Sequence, residues 1–283
     1  MRSSMKILSP AKLNIRLKVI GHRPDGYHEL VSLMVPVDLY DHIELKPGRT
    51  QGITLSCQGF PVPENEENLV FQAIQAFFSR TGLKQNLSIK LTKNIPVSAG
   101  LGGGSSNAAC TLKALNIMES NPLAFRDLEE LAVSIGADVP FFLHNRPCIA
   151  RGIGEILEPV KKWPKFWYVI VKPPISVSTS WAYGNLKLKL TTDEYSFILQ
   201  YLAEERLKLA DILENDLETV TAKHFPVINV IKKALISAGA EGALMSGSGP
   251  CVFGIFKSED YALSAKRHLA SQNLGEVFAV TGQ

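Results

Sequence analysis

Residues 96–109 read Pro96-Val97-Ser98-Ala99-Gly100-Leu101-Gly102-Gly103-Gly104-Ser105-Ser106-Asn107-Ala108-Ala109, and this segment constrains the architecture more than any other. It holds four glycines within five positions, then two serines and small residues that favour a helix. Glycine lets the backbone take positive φ and approach a ligand closely, and successive N–H groups can form a nest for an anion. A helix starting behind the loop adds unpaired N–H donors and its dipole. The segment therefore predicts a polyphosphate-binding loop; the alternative is a flexible surface turn.

The residues on either side of the loop fit this interpretation. Alternating apolar and polar residues over Leu87–Leu91 predict a strand, and a helix capped by its serines is expected over Ser105–Met118. The chain contains no Gly-Lys pair, and residue 105 is serine where a G-x-G-x-x-G pattern would need glycine. A P-loop NTPase and a standard dinucleotide site are therefore excluded.

A second segment, residues 12–19, carries polar residues at the even positions and apolar residues at the odd ones. This period of two predicts a strand with one buried face and one polar face. It follows that Lys12 and Asn14 point the same way. The strand is expected to end at the turn Arg23-Pro24-Asp25-Gly26.

Asp138 lies in Gly136-Ala137-Asp138-Val139-Pro140, directly before the apolar Phe141-Phe142-Leu143. An unpaired carboxylate is costly to bury. Asp138 is therefore either a capping or turn residue after a helix, or a functional carboxylate held in a dry site beside a cation. Lys12 is the natural candidate for that cation.

A second glycine-rich segment, Ser246-Gly247-Ser248-Gly249-Pro250, lies between two apolar strands. Alone it would indicate a hairpin turn. Two such loops in one chain more plausibly flank one anionic ligand.

The composition places the chain among globular proteins of about two domains, with 283 residues, 46% hydrophobic residues and a formal charge of +3. It predicts no nucleic-acid partner, no membrane span and no signal peptide. The scattered Cys57, Cys110, Cys148 and Cys251 indicate reduced thiols in a cytoplasmic protein. Interleaved strands and helices indicate an α+β or α/β fold, with a boundary near residue 158. Separate strands are expected over Leu30–Leu39 and His42–Leu45, and a helix over Thr192–Glu204.

The three motif stretches, together with Ser9-Pro10-Ala11-Lys12-Leu13-Asn14, resemble the motifs of the GHMP kinases, a superfamily of small-molecule kinases. The similarity is greatest to the branch that acts on a CDP-linked methylerythritol. Its marks also include Arg23-Pro24-Asp25-Gly26-Tyr27-His28 and Gly152-Ile153-Gly154-Glu155. The resemblance implies a two-domain α+β fold of mixed sheets and helices. An N-terminal ATP-binding domain is expected over 1–158, a C-terminal domain over 159–283, and the active site in the cleft between them.

The resemblance also implies the reaction, in which ATP with Mg²⁺ phosphorylates the 2-hydroxyl of the methylerythritol unit during isoprenoid precursor synthesis. Asp138 would act as the general base, and Lys12 would keep it ionised and stabilise developing negative charge. The Mg²⁺ ligands stay open between Ser105, Ser106, and phosphates and water alone. The ATP phosphates would be held by Lys93 and by the loop residues Pro96, Val97, Ser98, Ala99, Gly100, Leu101, Gly102, Gly103, Gly104, Ser105 and Ser106.

Five residues are implied to bind the substrate. Tyr27 and His28 would recognise the cytosine, Asn14 would orient the polyol or Lys12, and Thr179 and Tyr183 occupy the region expected to supply a second stacking partner. Tyr27 has the alternative of a turn aromatic packed on the strand.

Three further alternatives remain at this point. Lys93 has the alternative of a solvated strand end. Another GHMP kinase, of homoserine or mevalonate type, and a non-catalytic relative of the same fold are the rival functions. No obligate protein partner is expected.

Overall fold

The structure is a computed structural model that describes residues 4–48, 52–84, 86–187, 193–204 and 208–282. Helices and strands alternate along the chain, which confirms the α+β prediction. The strands are β1 Met5–His22, β2 His28–Pro47, β3 Gly52–Gly59, β4 Asn86–Lys93, β5 Cys148–Gly152, β6 Ile156–Pro159, β7 Trp167–Lys172, β8 Glu214–Asn215, β9 Gly242–Met245, β10 Val252–Phe256 and β11 Glu276–Thr281. The helices are α1 Leu69–Thr81, α2 Gly103–Met118, α3 Phe125–Ile135, α4 Val139–His144, α5 Thr179–Gly184, α6 Glu194–Ala203, α7 Leu209–Ile212, α8 Asp216–His224, α9 Val227–Ser237 and α10 Glu259–Ala270.

The first compact unit comprises Met1–Ala11, Leu39–Val97 and Gly102–Asn145. Within it, β4 pairs with β3 in parallel and with the C-terminal part of β2 in antiparallel orientation. Helix α2 packs against α1, α3 and α4. Apolar positions recur every three or four residues in α1, so its buried face supplies Phe77 and Phe78 to the core.

The second compact unit comprises Lys12–Asp38, Ser98–Leu101 and Arg146–Gln283. Four antiparallel strands form a sheet in the order β11-β7-β10-β9, and α9 and α10 pack on its strands. Residues 167–171 of the interior strand β7 are all apolar, and residues 168–171 are buried. In the same unit β2 pairs with β5, β5 with β6, and β1 runs parallel to β8.

Strand β1 differs from the sequence expectation, because its polar face is also buried. The four polar side chains at its even positions from 12 to 18 are only 3–5% exposed. Later elements supply the partners: Arg16 lies 2.7 Å from Glu194 and 2.9 Å from Glu214, and Lys18 donates to Glu214 and Asp216 at 2.7 and 2.8 Å. These carboxylates compensate the cost of removing two cations from water, so a charged face is kept inside the unit.

The bounds of the other helices and strands lie within a few residues of those predicted from the sequence, with three kinds of exception. The strands expected over Leu30–Leu39 and His42–Leu45 form one continuous strand, β2. The helix expected from Thr192 is seen from Glu194, and Thr192 itself lies outside the described residues. Strands β5, β6 and β8 and helices α4, α5 and α7 were not predicted, because each is too short to show a clear period. Over the described ranges, no helix has the length and apolar character needed to cross a membrane.

Candidate active site

The first half of the predicted phosphate loop, Ser98–Leu101, is shaped by two left-handed residues. Ser98 has φ 51° and Gly100 has φ 75°. A Cβ atom at Gly100 would collide with the carbonyl oxygen of Ser246, which belongs to the second glycine-rich segment. Gly100 is therefore required both by its φ and by the close approach of another backbone.

The Ser98–Leu101 part of the first glycine-rich segment lies against the second glycine-rich segment. The Ser246 hydroxyl donates to the Gly100 carbonyl at 2.9 Å, and the Cys251 N–H donates to the Ala99 carbonyl at 3.3 Å. Gly247 and Gly249 have φ of 57° and 88°. Backbone from both segments is thus concentrated in one place, with little side-chain bulk.

Lys12 and Asn14 lie beside this pair of loops. The Lys12 backbone N–H donates to the Leu101 carbonyl at 3.0 Å, and its Nζ donates to Asn14 Oδ1 at 2.5 Å. Asn14 Nδ2 donates in turn to the Ser32 hydroxyl at 2.8 Å. The prediction that Lys12 and Asn14 share a face of the strand is confirmed, and the backbone of Lys12 is fixed directly to the first loop.

The second half of the loop, Gly102–Ser106, forms the start of α2 in the first unit. The expected serine cap is wrong, because the helix begins at Gly103 with left-handed Gly102, φ 69°, as its cap. Ser106 N–H already bonds back to the Gly102 carbonyl at 2.9 Å. The N–H groups of Gly103, Gly104 and Ser105 are the terminal donors, and no side chain among the described residues caps them. A helix start of this kind suits a phosphate.

Lys93, at the end of β4, lies beneath this helix start and is only 3% exposed. Its Nζ donates to the Asp41 carboxylate and, at 3.1 Å, to Asn107 Oδ1. A Cβ at Gly103 would lie 3.0 Å from the same Nζ. Burial lowers the pKa of Lys93 from its usual value, and the Asp41 carboxylate opposes that shift. The alternative of a solvated strand end is therefore wrong.

Asp41 was not singled out by the sequence and proves to be the hub of this region. Its carboxylate accepts the backbone N–H groups of Asn94 and Ile95 at 2.7 and 2.8 Å, and Asn107 Nδ2 at 2.9 Å. An aspartate inside the otherwise strand-like Leu39-Tyr40-Asp41-His42-Ile43 was the available signal, because such a carboxylate needs partners when buried.

The two serines that follow the glycines of the loop, Ser105 and Ser106, differ in their surroundings. Ser106 is fully buried, and its hydroxyl accepts from the Ser9 hydroxyl at 2.7 Å. Ser105 is partly exposed. Ser105 is therefore the hydroxyl that a ligand could reach.

Asp138 occupies the N-cap position of α4 and is partly buried, next to the buried Val139, Pro140 and Phe141. Its φ and ψ of −83° and −11° are helical rather than extended, and within the described part of the chain its side chain does not cap the helix. The capping part of the alternative is therefore not supported, whereas the turn part stands, because Asp138 lies in the turn between α3 and α4.

Two of the residues expected at a cytosine, His28 and Tyr183, lie in a ring cluster with His22. The His28 and Tyr183 ring centroids lie 5.0 Å apart with an interplanar angle of 34°, and His22 meets His28 edge-on at 4.8 Å. Burial, and next the neighbouring His22, lower the pKa of His28. Tyr27 is 58% exposed, so the alternative of an aromatic packed on the strand does not hold. His22 was missed by sequence reasoning, because only the fold places it against His28.

The Thr179 side chain contacts the second glycine loop rather than the ring cluster. Its hydroxyl lies 3.0 Å from that of Ser248, in the second glycine loop. Thr179 and Tyr183 both belong to α5, so this short helix contacts a ring cluster through one residue and a glycine loop through the other.

Within the ranges that the structure describes, no three His, Cys, Asp or Glu side chains are grouped to hold a metal. Mg²⁺ retains several waters and binds substrate phosphates, so it does not require such a group.

Comparisons with known proteins agree with this geometry. The family model for the GHMP kinases N terminal domain matches residues 68–146, and that for the GHMP kinases C terminal matches residues 198–274. A 4-diphosphocytidyl-2-C-methyl-D-erythritol kinase of Syntrophus aciditrophicus is 47% identical over 279 residues, with 98% of each chain covered. The enzyme of that name from Syntrophotalea carbinolica is 45% identical, covering 96% of this chain and 97% of its own.

Solved structures give the same result. A 4-(cytidine 5'-diphospho)-2C-methyl-D-erythritol kinase superimposes with a TM-score of 0.84 at 35% identity, covering 98% of this chain and 99% of its own. A homoserine kinase from Cytophaga hutchinsonii, at 21% identity and a TM-score of 0.75, covers 100% of this chain and 96% of its own and shares the fold. Matched by both family models and by full-length relatives at these identities, the chain belongs to the GHMP kinase family.

Proposed function

We propose that the protein transfers the γ-phosphoryl group of ATP to the 2-hydroxyl of 4-diphosphocytidyl-2-C-methyl-D-erythritol, a step in isoprenoid precursor biosynthesis. Curated relatives with that name are 42–47% identical to it over most of their length. The observation that carries the catalytic assignment is the hydrogen bond from Lys12 N–H to the Leu101 carbonyl. It fixes a nearly buried lysine to the loop that would hold the phosphates.

ATP would be bound by the glycine loop, residues 96–106, with the terminal N–H donors of α2 directed to its phosphates. Lys93 would contribute positive charge from beneath the helix start. Phosphate oxygens and water, with help from the Ser105 hydroxyl, would hold Mg²⁺, which when bound would supply positive charge beside the phosphates. Of the two serines after the glycines, Ser105 is partly exposed and would be able to assist, whereas Ser106 is fully buried.

Asp138 would accept the proton of the 2-hydroxyl as that oxygen forms its bond to the γ-phosphorus. The bond from the γ-phosphorus to the bridging oxygen of ATP breaks, and ADP leaves with its electron pair. Lys12, held by Asn14, would stabilise the charge on the transferred group. Phosphoryl transfer depends mainly on positioning and electrostatics, so these groups are sufficient protein machinery.

The cytosine would lie against the ring cluster. The Tyr183 ring offers an aromatic face, and His28 offers a donor and an acceptor while it is neutral. Exposed Tyr27 would close on the base from the turn. Thr179 would act nearer the second glycine loop, where its hydroxyl lies.

We assign the ATP-binding domain to residues 1–158 and the C-terminal domain to 159–283. The support is that the two family models match on opposite sides of residue 158. The four cysteines are free thiols, as expected for a cytoplasmic enzyme.

The test is ADP release by the purified protein with a panel of alcohols: the CDP-linked methylerythritol, unmodified methylerythritol, homoserine and mevalonate. We expect turnover with the CDP-linked alcohol alone. Comparable turnover of homoserine or mevalonate would instead identify the rival type of GHMP kinase, and the assignment of the ring cluster to cytosine would be wrong.

A further inference from the structure

Ser246, at the start of the second glycine loop, makes two contacts with one hydroxyl group. Its Oγ accepts the backbone N–H of Asn14 at 3.2 Å and donates to the Gly100 carbonyl at 2.9 Å. The side chain is fully buried. A single hydroxyl therefore joins the strand that carries Lys12 to the loop that is proposed to hold ATP.

The hydroxyl is held on a rigid base. Ser246 N–H donates to the Cys251 carbonyl at 2.9 Å, and its own carbonyl accepts Gly249 N–H at 3.0 Å. Behind it, Asn215 Nδ2 donates to the carbonyls of Met245 and Gly247 at 2.7 and 2.8 Å. The segment around Ser246 is thus pinned on both sides, and its hydroxyl has little freedom to turn away.

The contacts close into a ring that includes Lys12. Ser246 holds Asn14, whose Oδ1 accepts Lys12 Nζ, and the Lys12 N–H is bonded to Leu101, the neighbour of Gly100. The Gly100 carbonyl accepts the Ser246 hydroxyl, which closes the ring. Loss of the hydroxyl would open the ring at two points and leave a buried N–H and a partly buried C=O without this partner.

We propose that Ser246 is a positioning residue that fixes the Lys12 ammonium relative to the first glycine loop. The second glycine loop thereby serves the reaction through this contact rather than by binding nucleotide itself. This inference rests on the proposed function, because it requires Lys12 to act on the transferred phosphoryl group.

The first variant is Ser246→Ala, assayed for kcat, for KM of ATP and for thermal midpoint. A small misplacement of a reacting group costs up to about a hundredfold in rate, so we expect kcat to fall about ten- to a hundredfold with little change in KM of ATP. Ser246→Cys, which keeps a weak donor and acceptor of similar size, should fall between the alanine variant and the parent. If Ser246→Ala does not fold, the proposal can still be tested with Ser246→Cys.

Thr221→Val is the matched control. Thr221 is buried, and its hydroxyl donates to the Ser248 carbonyl at 3.3 Å, so the variant removes a buried bond to the same loop. It touches neither Asn14 nor Gly100 through that hydroxyl. We expect a lower thermal midpoint with kcat preserved.

The decisive measurement is coupling to Lys12. If Ser246 acts through Lys12, Ser246→Ala lowers kcat in the parent but has almost no further effect in a Lys12→Met background, measured in long single-turnover incubations. Multiplicative losses would overturn the proposal, and so would a raised KM of ATP at unchanged kcat. Failure of the unmodified protein to phosphorylate the CDP-linked alcohol would count against the proposed function instead.

Discussion

The ammonium group of Lys93 and the carboxylate of Asp41 form an ion pair withdrawn almost entirely from water, with 3% and 0% of their side chains exposed. Such a pair is favourable only when the remaining hydrogen-bonding capacity is used, because desolvation of both ions is costly. Here two backbone N–H groups, of Asn94 and Ile95, complete the shell of the carboxylate. The pair therefore fixes the turn that leads from β4 into the phosphate loop.

Removing one charge of this pair should lower the free energy of unfolding more than removing both charges. Lys93→Met leaves a buried unpaired carboxylate and should lower the free energy of unfolding by about 3–5 kcal/mol. Adding Asp41→Asn removes that charge and should restore part of the loss. Urea unfolding of the single variant, the double variant and the parent measures this order.

Lys257→Met is the control for this series, because its ion pair with Glu241 is largely exposed and should matter little. ATP affinity separates structure from electrostatics: it should stay low in the double variant although stability recovers. Parallel recovery of both quantities would show that Lys93 contributes no charge to the phosphate site.

Asp138→Asn should abolish most turnover while ATP binding survives. Loss of a positioned base costs about 10²–10⁴ in rate, and an amide cannot take the hydroxyl proton. Rapid-quench measurement of phosphoryl transfer, with ATP affinity from titration, checks both parts. Near-normal turnover by a folded variant would remove Asp138 from the mechanism.

Gly103→Val should weaken ATP binding, for a steric reason. Gly103 has helical backbone angles, so its φ does not oppose the substitution. A Cβ atom added at this position would lie 3.0 Å from Ile95 Cγ2 and from Lys93 Nζ, so one of these atoms must be displaced. We expect at least a tenfold rise in the dissociation constant of ATP. Gly104→Ala is the comparison, because its Cβ makes an ordinary 3.4 Å contact with Leu69 and should cost less. Equal effects of the two variants would contradict the steric account.

His28→Ala should raise KM for the CDP-linked alcohol and leave KM for ATP almost unchanged. A lost hydrogen bond to a base costs about 1–3 kcal/mol, because its buried partner is left unpaired. Part of the loss should appear in kcat if cytosine binding helps to align the hydroxyl. Only a variant with a normal thermal midpoint is informative, and equal changes in both KM values would contradict the role in base recognition.

The pH dependence of substrate binding should change when His22 is removed, because His22 helps to lower the pKa of His28. Because burial and His22 both lower the pKa of His28, the imidazole stays neutral, and able to accept a hydrogen bond, below its usual titration range. KM for the CDP-linked alcohol should therefore begin to rise only below about pH 6.5. In His22→Ala the onset should move to higher pH, since one cause of the lowered pKa is gone. An unchanged profile would mean that His28 does not titrate in binding.

The glycine motif, the shared face of Lys12 and Asn14, and the meeting of two glycine loops could all be predicted, because each follows from local spacing or from a recognisable motif. The roles of Asp41 and Ser246 could not, since both depend on partners brought by the fold. The prediction that serines cap α2 was wrong for a local reason. Gly102 turns the chain through a left-handed conformation, so the helix begins ahead of both serines.

The partners of β1 have a consequence for synthesis of the chain. Asn14 is bonded to a residue 232 positions later, and Arg16 and Lys18 pair with acids that follow residue 193. At about 5–20 residues per second, a ribosome needs roughly ten to fifty seconds to supply the segment that holds Asn14. Arg16 and Lys18 gain their acidic partners only after residues 194–216 have been made, and the Asn14 N–H gains the Ser246 hydroxyl later still, although this strand is made first. A fragment cut near residue 158 would keep the phosphate loop and lose every one of these anchors.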